Sequence, residues 1–161
     1  MALVLALRNA GDPLPAAILS VAPFADLTLS GPSVRAFNGE DAAANRDLLT
    51  FMGASYFQGH EPTDPLVSPL FGDLTGLPPL FVTASEGEVL LSDATRLAER
   101  AEKAGVDVTL RVVQDSVHVY PIFPFLRRRG RPWRRSRCGQ GRICAAAKRG
   151  RRRPNSAARA I

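Results

Sequence analysis

No acidic residue occurs anywhere between positions 127 and 161. That stretch holds 13 Arg and one Lys, whereas residues 1–126 hold seven basic and fifteen acidic side chains. The overall charge of +6 therefore joins two unlike objects, a mildly acidic body and an intensely basic tail. Cysteine is nearly absent too. Cys138 and Cys144 both lie in the tail with five residues between them. That spacing suits neither a C-x-x-C zinc site nor a disulfide framework, so no metal is expected. Long apolar runs are also missing. The run at residues 2–7 has no basic residue before it, and Arg8 ends it. It is too short for a secretory segment with normal flanks and far too short to span a bilayer, which predicts a soluble, cytoplasmic chain without a membrane span. The tail's aromatic content is Trp133 alone. Arginines can neutralise phosphates and Trp133 can stack on a base. Without interleaved aromatics or a folded motif, however, the composition predicts non-specific adhesion to polyanions and no specific nucleic-acid partner.

What is present is enough apolar material, 45% of 161 residues, to build the core of one domain. Residues 1–10 are almost all good helix formers, closed by Gly11 and Pro13. A helix apolar on all sides expects cover on several of them. Residues 16–22 form a short continuous apolar run, the pattern of a strand buried on both faces of a parallel sheet. Turn chemistry follows at residues 23–33. Asp41 is expected to cap a helix reaching about Tyr56, and residues 61–75 read as a proline-bearing loop. A second strand is predicted at residues 79–84. Ser92 or Asp93 would cap a helix ending at Lys103, with Ala94, Leu97, Ala98 and Ala101 on one face and Gly105 closing it. Residues 107–113 alternate apolar and polar more clearly, as an edge strand does. Alternating helices and strands predict an α/β fold with a parallel sheet.

The chemistry gathers around residues 77–93 and His118. An apolar strand ends there in a loop bearing Glu86 and Glu88 and turns straight into a helix. The next strand ends in Gln114, Asp115, Ser116, Val117 and His118. Open α/β sheets place their active sites at the C-terminal ends of their strands. A carboxylate that holds an imidazole, which in turn activates a hydroxyl, is the logic of nucleophilic ester and amide hydrolysis.

Six segments in order carry a family resemblance: Leu14-Pro15-Ala16-Ala17, residues 23–28 (PFADLT), residues 64–70 (DPLVSPL), Gly76-Leu77-Pro78-Pro79, residues 88–93 (EVLLSD) and Val117-His118-Val119. Together they resemble the C-terminal half of the hormone-sensitive-lipase-like carboxylesterases of the α/β-hydrolase superfamily. The resemblance implies a partial α/β-hydrolase fold over residues 1–126, with the last three parallel strands and their flanking helices. It implies Glu88 as the acid that orients His118, and His118 as general base. Glu86 and Asp93 are the alternatives for the acid, Asp93 being better suited to cap the helix. Asp115 is near His118 in sequence but is not used by the family. His60 is expected on a surface loop without a role, and Asp26 and Ser68 as residues that tie loops down.

The family's nucleophile sits in G-x-S-x-G, a sharp strand-to-helix turn. That motif occurs nowhere in these 161 residues; Gly53-Ala54-Ser55 is followed by Tyr56 and Phe57. The expectation is therefore a carboxylic ester hydrolase by family, acting on a small-molecule ester without a cofactor. The serine segment is missing, activity of the chain alone is absent, and a complementing N-terminal half is a possible partner. Residues 127–161 break the resemblance and are expected to be a disordered or frame-shifted tail. The rival reading is a non-enzymatic basic protein that binds nucleic acid or polyanions through that tail.

Overall fold

The structure, a computed structural model, describes residues 1–41, 43–114, 116, 118 and 119. Expectations for Asp115, for residues 120–126 and for the tail at 127–161, with Cys138, Cys144 and Trp133, lie outside the described residues.

The described chain runs α1 (Ala2–Ala10), β1 (Ile18–Val21), α2 (Pro32–Ala36), α3 (Arg46–Phe57), a 3-10 turn at Pro69–Phe71, β2 (Leu80–Ser85), α4 (Leu91–Lys103) and β3 (Val108–Val113). The strands form one parallel sheet in the order β1-β2-β3, with Ile18 opposite Leu80 and Leu80 opposite Val108. This is the α/β arrangement that the alternation predicts.

The core lies between β2 and α4. Side chains alternate across a strand, so Leu80, Val82 and Ala84 share a face. They meet Ala94, Leu97, Ala98 and Ala101, the apolar stripe of α4, and Leu5, Leu70 and Leu74 complete the cluster. Leu97 is completely buried; cutting such a side chain back to Ala costs about 2–5 kcal/mol. The helix ends in a Schellman motif: Gly105 takes φ +80°, its N–H donates to the Glu102 carbonyl, and the Val106 N–H donates to the Ala101 carbonyl.

Several local expectations are corrected. β1 is not buried on both faces; it is an edge of the described sheet, and Leu19 is 69% exposed. The strand covered on both sides is β2. Helix α1 is likewise covered on one side only, with Leu5 buried and Leu3 71% exposed. Helix α2, started by Pro32, begins at the end of the stretch that reads as turn chemistry and runs on to Ala36. Asp41 does not cap α3. Asn45 does, its side chain accepting from the Leu48 N–H. Neither Ser92 nor Asp93 caps α4, which starts without a side-chain cap after Leu90. Both side chains are drawn instead into buried contacts with the segments that follow β1.

Asp26 and Ser68 tie loops down as expected. The fully buried Asp26 carboxylate accepts from the Thr28 backbone and hydroxyl, from the Ser30 hydroxyl and from Arg96. The Ser68 hydroxyl donates to the Pro62 carbonyl and accepts from the Leu27 N–H.

Candidate active site

The loop after β2 has to reverse direction within five residues and start α4, and this turn holds Glu88. Its carbonyl accepts from the Leu91 N–H, closing the first turn. The side chain is 1% exposed, yet neither carboxylate oxygen accepts a hydrogen bond from a described residue. A buried carboxylate without donors is costly unless a positive or polar partner faces it.

That partner is His118. The ladder between β2 and β3 is extended by the Glu86 N–H, which donates to the Val113 carbonyl. Beyond it, the buried Ser85 hydroxyl donates to the Ser116 carbonyl at 2.6 Å, so the end of β2 holds the loop that carries His118. Val119, the next residue, takes φ +53°, an unfavourable conformation for a β-branched side chain of the kind found where function constrains the backbone. His118 Nδ1 lies 3.3 Å from Glu88 Oε2, at ion-pair distance but without the alignment of a formed hydrogen bond. The Glu88 carboxylate beside Nδ1 raises the imidazole pKa above its ordinary 6.5, outweighing burial, which lowers it; the charge of Asp41 acts in the same upward direction.

The structure thus brings together the two residues that the sequence selects. It does not gather the alternatives. Glu86 is exposed. Asp93 is buried, and its Oδ2 accepts from the backbone N–H groups of Ala25 and Asp26 at 2.9 and 2.8 Å. Burial pushes the Asp93 carboxyl up to about 6, against those two backbone hydrogen bonds, which pull it down. Its role is to fasten α4 to the segment after β1. His60 is exposed, as expected.

Two residues at this site carry no legible signal in the sequence. Ser33 donates through its hydroxyl to the Val89 carbonyl, and it exchanges hydrogen bonds with Ser92. Asp41 Oδ2 accepts from the Val89 N–H at 3.1 Å and lies 3.7 Å from His118 Nδ1. The residue after Glu88 is therefore held at both its carbonyl and its N–H by segments more than forty residues earlier. Only the fold creates these contacts; neither residue belongs to a local motif. No group of three or more His, Cys, Asp or Glu among the described residues is arranged to hold a metal ion. No helix among the described residues is long and apolar enough to cross a membrane.

The parallel sheet with its flanking helices agrees with what known proteins show. A family model described as α/β hydrolase fold matches residues 1–122. The chain is 41% identical over 127 residues to an acetyl-hydrolase of Streptomyces hygroscopicus, covering 76% of this chain and 42% of that protein. It is 37% identical over 124 residues to an esterase of Acinetobacter venetianus, covering 76% and 41%. Among solved structures, a hormone-sensitive lipase from a metagenome library superimposes with a TM-score of 0.73 at 40% identity, covering 76% of this chain and 42% of that one. An esterase of the bacterial hormone-sensitive lipase family gives 0.73 at 41% identity, covering 77% and 43%. The chain spans about two fifths of the length of the curated relatives it matches. Matched over three quarters of its residues, the chain belongs to the α/β-hydrolase fold family, on its hormone-sensitive-lipase-like branch.

Proposed function

We propose that this chain carries the acid–base half of a carboxylic ester hydrolase of the Ser-His-Glu type. The observation that supports it best is the approach of His118 Nδ1 to the buried Glu88 carboxylate, 3.3 Å away. With Nδ1 committed to the acid, Nε2 is the nitrogen that accepts a proton from the nucleophile. A serine hydroxyl attacks the ester carbonyl as its proton passes to His118. The tetrahedral intermediate then expels the alcohol, which takes that proton back. Water repeats the sequence on the acyl-enzyme and releases the acid. No organic or metal cofactor enters these steps.

The serine belongs to a G-x-S-x-G turn that these 161 residues do not contain. It is supplied by sequence outside them, on a longer form of the chain or on a complementing N-terminal half. The substrate is a small-molecule ester, and the name of one relative, an acetyl-hydrolase, points to acetyl groups.

A chimaera tests this reading: residues 1–122 replace the matching segment of a related esterase that brings its own G-x-S-x-G. Hydrolysis of p-nitrophenyl acetate is expected, and His118→Ala should lower kcat by about a thousandfold or more. The 161-residue chain alone should show no turnover above buffer. Chimaera activity unchanged by His118→Ala refutes the role of His118. Turnover by the chain alone that is lost with His118→Ala refutes the external serine.

A further inference from the structure

We propose that Asp41 is a second carboxylate partner of His118, a positioning residue that fixes the acid loop and places a further negative charge at the Nδ1 edge of the imidazole. The charge coupling stands on geometry alone; its meaning for catalysis rests on the esterase reading above.

Glu88 and Asp41 come from segments far apart in the chain and converge on one ring nitrogen, at 3.3 and 3.7 Å. Their side chains are 1% and 2% exposed, so water screens neither. They are the charged groups within ion-pair distance of His118 among the described residues. Two buried carboxylates side by side repel each other unless a positive group stands between them. The imidazolium formed when His118 takes a proton is such a group.

Asp41 is also rigidly held. Its Oδ1 accepts from the N–H groups of Ala43 and Ala44 at 2.9 and 3.1 Å, and its Oδ2 accepts from Val89. Three backbone hydrogen bonds make it a fixed charge, where a surface acid would be mobile. Among the described residues Glu88 has no such anchors on its oxygens. Asp41 therefore does two things Glu88 cannot do for itself. It clamps the peptide that follows Glu88, and it offers the Nδ1 proton a second acceptor when Glu88 is misaligned.

The test is a titration of the imidazoles in the full 161-residue chain labelled with 15N-histidine. His60, which is exposed, serves as the internal reference. Asp41→Asn removes the charge and keeps one of the two side-chain oxygens, enough for the Ala43 and Ala44 N–H groups but not for that of Val89 as well. It should lower the His118 midpoint by about half to one pH unit, a roughly three- to tenfold loss of proton affinity, and leave His60 in place. A His118 midpoint unmoved in folded Asp41→Asn overturns the proposal. Should that variant not fold, the unmutated chain answers the question through the 13C signal of the Asp41 carboxylate. An inflection at the His118 midpoint supports the coupling, and a signal flat through that midpoint overturns it. A chimaera indifferent to His118→Ala would sink the esterase reading and leave this titration result standing.

Discussion

Replacing Asp93 by Asn should change how stability depends on pH, with a sign opposite to the usual carboxylate. Asp93 is 1% exposed, and burial raises its carboxyl to about 6 from an ordinary 3.8. Below 3.8 the group is protonated in folded and unfolded chains alike, and its contribution is fully present. Between 3.8 and about 6 the unfolded chain releases the proton while the folded chain keeps it, so stability falls as pH rises through that window. Each pH unit is worth about 1.4 kcal/mol, so the whole window amounts to about 3 kcal/mol. Asn has nearly the same shape and keeps an oxygen for the Ala25 and Asp26 N–H groups, but it does not titrate. Asp26 titrates the other way. Burial alone would raise its carboxyl, yet hydrogen bonds from Ser30, Thr28 and Arg96 hold it low. It is present in both chains and largely cancels in their difference. Urea unfolding followed by far-UV circular dichroism gives that difference directly. Wild-type stability minus that of Asp93→Asn should fall by about 3 kcal/mol between about pH 3.5 and about pH 7. A difference that stays level, or that rises with pH, would refute the claim that burial dominates at Asp93.

Three other outcomes follow from the same contacts. His118 has a folded pKa above 6.5, so the stability it contributes is fully present below 6.5 and is lost as pH rises through the folded value. Urea unfolding of His118→Gln should lack that alkaline decline, and an unaltered decline would count against the Glu88 contact. An added Cβ at Gly31 would lie 2.8 Å from Ser92 Cβ, where α2 begins against α4. Gly31→Ala should therefore destabilise by about 1–3 kcal/mol in urea, and a shift within error would mean the contact is slack. Leu19→Lys on the exposed edge strand should lower light scattering on concentration without moving the unfolding midpoint; scattering equal to wild type would put the sticky surface elsewhere.

The elements with strong periodicity or clear punctuation were legible before any coordinates. Helix α4 is one, because its stripe of Ala94, Leu97, Ala98 and Ala101 and its closing Gly105 agree with each other. The strand ends point to an acid beside His118, and the family resemblance selects Glu88 over Glu86 and Asp93. What the sequence does not disclose is burial set by neighbours. The apolar run of β1 reads as an interior strand, but burial depends on the elements beside it, and the described sheet has none beyond β1. Capping misled for a related reason. Asp41, Ser92 and Asp93 all have the chemistry of a helix cap, yet none caps the expected helix and each has a distant partner, Asp41 in addition to its local bonds from Ala43 and Ala44. Short polar side chains serve local and distant backbone groups equally well. Sequence spacing alone cannot choose between the two.

Those displaced caps explain why the acid sits where it does. A carboxylate that must orient an imidazole has to be kept within a fraction of an ångström by groups that do not themselves move. No described residue donates a hydrogen bond to the Glu88 oxygens, so among the described contacts its position depends on its backbone. Leu91 holds that backbone from the start of α4, and Ser33 and Asp41 hold it at Val89. Asp93 then fastens α4 to the segment after β1, and Asp26 holds that segment together through Thr28, Ser30 and Arg96. The buried polar residues that looked like caps or spare acids thus form one scaffold behind the acid loop. Loosening any of them should act on His118 through Glu88 before it unfolds the domain. Of these scaffold residues Asp41 also faces the imidazole directly, and for that reason its loss should shift the His118 titration further than Gly31→Ala does.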